Sequence, residues 1–521
     1  MLTRIRLQGF KSFEDVEVRF GPFTCIAGAN GVGKSNLFDA IQFLRDLTEF
    51  PIIEAASRVR DPAGRTGDIR AIFTQGQLCP PDVRIEADFI VPDRIYDDFN
   101  RVATPTATFL RYELGLRYTA SSEKSAERIE LLYEKLTYIL KTVVEAELGF
   151  PTTPVFRNSA VKSKRRSTPF ISTETKDGNT IIQLHQDGGA KGPPFRVPAA
   201  VSPKTIVGGI NTNDYPTVLA ARREMQGWTL FQLEPSALRQ PDAFSADAHL
   251  ASNGGHMAAT LLRLRAETEV SNRLANLLDD VGSVSVERDD SRRTYTLHVS
   301  GRDGTSHPAR SLSDGTLRFL ALAILSADPE SGRLLCLEEP ENGIHPSRIS
   351  AILQLLREMV VDTKKAVDTQ EQISRSVENI GSSEATPSVN AKNQLDLQVE
   401  DHAVVDTNST LRVGNPLRQV IINTHSPVVV SAFSVEDLLV ARLVRHDEVS
   451  RTVFEYVKDS WRAKNDDIAA VSPTDLLAYV NKAPSLSVEP NLRRTKGENA
   501  KLTVREYTYY QMDIFDVLHP G

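Results

Sequence analysis

Eight consecutive residues, Gly28-Ala29-Asn30-Gly31-Val32-Gly33-Lys34-Ser35, have the types and spacing to hold phosphate. They fit G-x-x-x-x-G-K-[ST]. Glycines let the backbone curl until its N–H groups point inward at anionic oxygens. A helix beginning near Lys34 adds the partial positive charge of its N-terminus. The Lys34 ammonium can reach the β- and γ-phosphates of a nucleoside triphosphate, and the Ser35 hydroxyl can ligate Mg²⁺. The candidate nucleotide-binding set is Asn30, Gly31, Gly33, Lys34, Ser35 and Asn36. A chance glycine-rich turn could carry the same letters, so the flanks decide. Phe23–Ala27 reads as a short buried strand, and Leu37, Ala40, Ile41 and Leu44 recur at helical spacing after the loop.

Three further groups suit the chemistry of a triphosphate. Leu334-Leu335-Cys336-Leu337 is an apolar strand ending in Glu338 and Glu339. Beside a phosphate loop, Glu338 would orient the metal shell and Glu339 would polarise an attacking water. A strand leading into a solvated acidic turn is the plainer alternative. Ser311-Leu312-Ser313-Asp314-Gly315-Thr316-Leu317-Arg318 opens an apolar helix, so Ser313 and Gly315 form a second anion site at a helix N-terminus. One chain has no use for two γ-phosphate sites; a dimer does, if this helix caps the ATP of its partner. An ordinary Ser/Asp helix cap explains the same residues. Finally, the strand Val420-Ile421-Ile422 runs into Asn423-Thr424-His425. A lone His is usually a satisfied core residue; in this order His425 would sense the γ-phosphate and the attacking water.

The elements that must position these groups can be read along the chain. Residues 1–20 alternate as a two-stranded hairpin, and the helix after the loop spans 34–47. Val83–Phe89 and Phe109–Leu116 alternate as antiparallel strands. Residues 124–148, with Ile129, Leu132, Leu136, Ile139, Leu140, Val143 and Val144, are expected to form one amphipathic helix. Residues 150–215 are loop-rich, with a strand at Thr180–Leu184 and a basic cluster, Lys162, Lys164, Arg165 and Arg166, read as a solvated loop. Helices dominate 216–280, most clearly 257–279, and strands follow at 283–288 and 293–300. Residues 361–415 are polar, without aromatics, and read as a partly disordered insertion.

The bulk properties set bounds. The 521 residues suffice for about two to four domain-sized units. No apolar run approaches the ~20 residues that span a bilayer, and the N-terminus lacks a signal-peptide core. A cytoplasmic protein with no membrane partner is expected. Cys25, Cys79 and Cys336 are widely spaced, which favours buried thiols over a disulfide or metal site. The net charge of −7 excludes a surface that is basic overall but leaves room for a local basic groove.

Taken together and in this order, the four motifs resemble the ABC-type ATPase heads of the SMC-like superfamily, and within it the overcoming-lysogenization-defect (OLD)-like AAA ATPases. The opening Ile5-Arg6-Leu7-Gln8-Gly9-Phe10-Lys11-Ser12-Phe13 and the run Glu338–Pro346 carry the same likeness. It covers roughly 1–120 and 245–445. It implies an α/β fold of the ABC/SMC-type P-loop head: a mixed sheet with flanking helices, N-terminal antiparallel strands and a helical or loop insertion. The expected divisions are 1–120, with the phosphate loop; 121–245, the insertion; 246–360, with the signature and acidic strand; 361–415, the polar insertion; 416–449, the His segment; and 450–521, a tail suited to docking a partner. The likeness further implies head-to-head dimers with two ATPs between them, Lys11 near the nucleotide, and a metal-side glutamine, for which Gln75 is the candidate. The signature here reads Ser-Asp-Gly without a second glycine. OLD nucleases also end in a Toprim domain; Asp466-Asp467 has no apolar strand before it, so no intrinsic nuclease is expected.

Two functions compete. One is an ATPase subunit, with ATP and Mg²⁺, that dimerises and gates a separate effector, a nuclease, in antiviral systems of the Septu-like or retron-linked kind. The other is an SMC-like repair or recombination ATPase that binds DNA when loaded with ATP. A membrane transporter's ATPase fits poorly, because the N-terminal strand pair and the 48–250 insertion are foreign to that class.

Overall fold

The structure is a computed structural model that describes residues 1–60, 67–74, 82–121, 126–164, 168–188, 194–278, 280–367, 417–446, 449–464, 470–472, 475, 476, 478, 487 and 488. The chain opens with β1 (Leu2–Phe10) and β2 (Phe13–Arg19), then passes through β3 (Phe23–Ala27) into α1 (Lys34–Asp46) and α2 (Ile52–Arg58). β4 (Val83–Ile90) precedes the short pair β5 (Ile95–Tyr96) and β6 (Val102–Ala103), and the long strands β7 (Phe109–Thr119) and β8 (Arg128–Tyr138). Next come α3 (Val144–Leu148), α4 (Pro154–Ala160), β9 (Ile171–Lys176), β10 (Asn179–Leu184) and β11 (Phe195–Pro198). After α5 (Ile206–Gly209) and α6 (Pro216–Gln226) lie β12 (Trp228–Phe231), α7 (Pro235–Leu238) and β13 (Asp242–Ala243). α8 (Met257–Leu264) and α9 (Glu267–Leu277) lead to β14 (Val281–Asp289), β15 (Thr294–Gly301) and β16 (Ser306–Pro308). α10 (Asp314–Ala327), β17 (Leu334–Glu338) and α11 (Ile349–Glu358) follow. The described chain closes with β18 (Gln419–Thr424), β19 (Leu438–His446), β20 (Val449–Val457), β21 (Ala470–Val471) and β22 (Ser487–Val488).

The organising layer is a mixed sheet in the order β12-β17-β18-β3-β19-β20-β21. β12, β17, β18, β3 and β19 run parallel, and β20 returns antiparallel to β19. Its strands are apolar on both faces because both faces are covered. Alternate residues go opposite ways. Ile26, Cys336, Ile421 and Leu439 join the core beneath α1 and the N-terminal sheet. Cys25, Leu335, Leu337, Val420, Ile422 and Val440 join the core beneath α8–α11. Cys25 and Cys336 are accordingly buried free thiols whose pKa burial pushes up. Cys79 lies outside the described residues. Parallel strands bring β3, β17, β18 and β12 to the same sheet edge with their carboxyl ends, which is where the phosphate loop, Glu338, His425 and the residue after β12 emerge.

The second layer is an antiparallel sheet, β11-β10-β9-β8-β7-β4-β1-β2, eight-stranded among the described residues. The expected hairpin over 1–20 is β1 and β2. The expected helix over 124–148 is not: its first half is strand β8, and only Val144–Leu148 is α-helical. The cause is a bulge. Leu116 pairs with Leu131 and Gly115 with Tyr133, so Leu132 is an extra residue that breaks the period of two. The buried residues are Ile129, Leu131, Glu134 and Leu136, whereas the helical spacing comes from Ile129, Leu136 and the bulge residue Leu132 between them. A Cβ on Gly115 would lie 2.3 Å from the Tyr133 ring, which crosses it at the bulge. The segment expected as a helical and loop-rich insertion thus extends the N-terminal sheet through β8–β11, and β12 within it joins the central sheet.

The helix expected over 257–279 is two, α8 and α9, because Arg265 takes a left-handed conformation (φ 51°) and ends the first. Of the basic cluster, Lys162 is ion-paired to Asp93; Arg165 and Arg166 lie outside the described residues. Most of 361–415, and the tail from 489 onward, also lie outside them. Among the described residues no helix is long and apolar enough to cross a membrane.

Candidate nucleotide-binding site

The phosphate loop leaves β3 at Gly28 and enters α1 at Lys34, as its spacing requires. Gly33 caps the helix in a left-handed conformation (φ 94°), and a Cβ there would lie 2.1 Å from Thr452 Oγ1. That hydroxyl, on β20, donates to Val32 O (2.8 Å) and shares a hydrogen bond with Ser12 Oγ (2.7 Å), which accepts from Asn36 Nδ2 (2.8 Å). The loop is therefore clamped between the β1–β2 turn and β20. Lys34 Nζ donates to Gly28 O and Ala29 O at 2.7 and 2.8 Å. Burial pushes its pKa down, opposed by the carboxylates of Glu339, Glu341 and Glu338.

Across the cleft stands the end of β17. Glu339 has φ 43°, unusual for a residue with a side chain and typical of functional turns. The conformation is held by Asn423 of the neighbouring strand, whose Oδ1 accepts from Glu339 N at 3.0 Å. Glu339 Oε2 accepts from Asn342 Nδ2 (2.7 Å), and Oε1 lies 2.7 Å from His425 Nδ1. Burial alone would raise its pKa; the bonds from Asn342 and His425, and the charge of Lys34, hold it below the ordinary carboxylate range. A carboxylate can only accept, so this bond requires a proton on Nδ1 of His425. Glu341 is buried behind, its Oε1 bonded to Thr424 Oγ1 and its Oε2 unpartnered among the described residues; burial raises its pKa.

A cleft of about 740 Å³ joins these parts. Asn30, Gly31, Gly33, Lys34, Ser35, Asn36, Glu338 and Glu339 all line it, and His425 adjoins it through Glu339. The remaining sequence candidates lie elsewhere. Lys11, at the β1–β2 turn, is not in the lining: its Nζ is 2.7 Å from Asp39 Oδ2 on α1. Ser313 and Gly315 also stand outside it. Ser313 is exposed at the N-terminus of α10 and accepts from Thr316 N, while Gly315 packs against the backbone of Gly343. Gln75 lies outside the described residues.

The lining includes groups that the motifs do not announce: Arg60, Gln232, Arg318, Asn342 and Asn423. Gln232 follows β12 and donates to Glu338 Oε2 at 2.6 Å. Its signal was a polar residue directly after the apolar run Trp228–Phe231, visible only once that run is known to be a strand beside β17. Hydroxyl, carboxylate and amide oxygens are the hard donors that suit Mg²⁺, so Ser35, Glu338 and Gln232 fit that ion.

Two family models match the chain: the RecF/RecN/SMC N-terminal domain over residues 1–50, and an AAA domain described as "putative AbiEii toxin, Type IV TA system" over 214–361. The first covers the phosphate loop; the second covers β12, the signature and the acidic strand. No curated protein matches the chain. Solved structures similar to it include an SMC head bound to the C-terminal winged-helix domain of ScpA, at 13% identity over 88% of this chain and 98% of that one, TM-score 0.44. Another is the SMC head domain from Thermotoga maritima, at 12% identity over 87% and 98% of the chains, TM-score 0.34. A third is a Pyrococcus furiosus SMC head with an extended coiled coil, bound to the C-terminal domain of ScpA, at 12% identity over 87% and 96%, TM-score 0.37.

Proposed function

We propose that the chain is an ABC/SMC-type P-loop ATPase head that binds ATP with Mg²⁺ in the cleft and hydrolyses it. Its family matches, and the sheet that carries the phosphate loop, acidic strand and His strand at one edge, support this reading. The observation that carries this reading is the placement of Glu339, ionised and fixed by His425, Asn342 and Asn423, across from the phosphate loop. Glu339 accepts a proton from the water that attacks the terminal phosphorus. The bond to the bridging oxygen breaks, and ADP and phosphate leave. His425 holds the carboxylate through its Nδ1–H. Lys34 and the loop N–H groups bind the outer phosphates. Mg²⁺, held by Ser35, Glu338 and Gln232, would neutralise phosphate charge.

Two copies join head to head in this reading, Ser313 and Gly315 of one closing over the ATP of the other. The exposure of Ser313 at the start of a 14-residue helix supports that role. The dimer regulates a separate effector, a nuclease, in antiviral defence. The OLD-like motif set and the toxin–antitoxin description of the AAA model support this. The SMC match over the first 50 residues favours a second reading, ATP-dependent DNA binding. Glu339→Gln tests the core of the proposal. It should keep ATP affinity within about threefold, lower turnover at least a hundredfold and accumulate an ATP-bound dimer in light scattering. Parent-like turnover would remove Glu339 from its role. Co-purification of a nuclease, against salt-sensitive DNA binding that appears only with ATP, separates the two biological readings.

A further inference from the structure

Arg318 lies on α10 one turn beyond Asp314, and its side chain lines the same cleft as Lys34, Ser35, Glu338, Glu339 and Asn342. Its Nε is buried and has no hydrogen-bond partner among the described residues. Two carboxylates act on it through space, Asp314 and Glu341. Asp314 is already paired with Arg239, and Glu341 is bonded to Thr424. Burial pushes the guanidinium pKa down, which means the fold withdraws water from a cation without giving it a bonded counter-charge. The other guanidinium on the cleft, Arg60, has a directly bonded carboxylate, Asp39 Oδ2 at 2.8 Å, which it shares with Lys11. A half-buried, unmatched fork facing a phosphate site is an arrangement a folded chain keeps for an anion.

We propose that Arg318 binds the terminal phosphate of the nucleoside triphosphate held in its own subunit. This rests on the cleft being an ATP site. The terminal phosphate is favoured over the inner two because the helix of Arg318 packs at Gly315 against Gly343, in the turn that carries Glu339 and Asn342, whereas the inner phosphates belong to the loop N–H groups. One helix then touches two nucleotides: its own subunit's through Arg318, and that of a second copy through Ser313, five residues earlier. The number of phosphates in one site is thereby reported to the surface that closes the other.

The test is calorimetric titration of the full chain with a non-hydrolysable ATP analogue and with ADP, for the parent, Arg318→Gln, Arg318→Lys and Lys34→Ala. Arg318→Gln should weaken the ATP analogue by about tenfold to a hundredfold, as expected for one charge-assisted bond, and ADP by less than about threefold. Arg318→Lys should fall between, keeping the charge and losing the fork. Without nucleotide, Arg318→Gln should melt at or above the parent temperature, since an unmatched cation is removed. Equal weakening of both nucleotides, or no change in either, overturns the proposal. If Lys34→Ala also binds both nucleotides like the parent, the reading of the cleft falls, and this inference with it; if Lys34→Ala weakens both while Arg318→Gln does not discriminate, only Arg318 loses its role.

Discussion

A Cβ on Gly33 would meet Thr452 Oγ1 at 2.1 Å, and the residue's φ of 94° is one that side chains resist. Sterics and dihedral act on one atom, and they can be separated. Gly33→Ala should weaken ATP at least tenfold, because the loop must open to accept the methyl group. Adding Thr452→Ala removes the shortest contact and leaves the dihedral, together with Ser12 Oγ at 2.9 Å. Recovery in the double variant, measured by nucleotide titration, identifies packing against β20 as the larger constraint; no recovery assigns it to the backbone conformation and the Ser12 contact. The motif letters already required a glycine at 33. That its neighbour would be a threonine 419 positions later was not legible, because nothing local marks Thr452.

Between elements, the joint of β8 with α5 carries a buried acid. Glu134 is fully buried and accepts from Ile206 N (2.6 Å), Val207 N (2.9 Å) and Tyr112 OH (3.1 Å). Burial raises its pKa to about 7, against the pull of these donors. An acid whose pKa rises on folding takes up a proton as the chain folds between its unfolded and folded values. Its contribution is therefore fully present below about pH 4.5 and is lost as pH rises through about 7. Glu134→Gln removes the titration. In urea unfolding the parent should lose stability relative to this variant between pH 5 and 8, by on the order of 3 kcal/mol. A constant difference across that range would assign Glu134 no titration. The same strand shows why the sequence misled: Leu132 at the bulge shifts the inward set, and a period of two with one insertion passes for a period of 3.6.

At the scale of the whole molecule, the cleft and the exposed N-terminus of α10 are separate surfaces of one chain, so a composite site in a dimer makes a prediction about mixtures. Lys34→Ala spoils the loop and Ser313→Arg spoils the cap. Each variant alone has no intact site. Mixed, half of the dimers are heterodimers with one intact site of two, so about a quarter of the parent ATPase rate should return. Phosphate release after mixing measures it; a mixture as inactive as its components would place Ser313 outside the nucleotide site of a partner.

Local chemistry was determined by the sequence. The phosphate loop, the two acids after an apolar strand, the signature serine and the histidine are each defined by a few adjacent residues, and adjacency survives in any fold. The tertiary structure decided which distant residues complete them. Gln232 reaches Glu338 only because β12 pairs beside β17, and Asn423 fixes Glu339 only because β18 lies between β17 and β3. Parallel pairing aligns strand ends separated by hundreds of residues, and side-chain periodicity within one strand carries no information about which strand lies next to it.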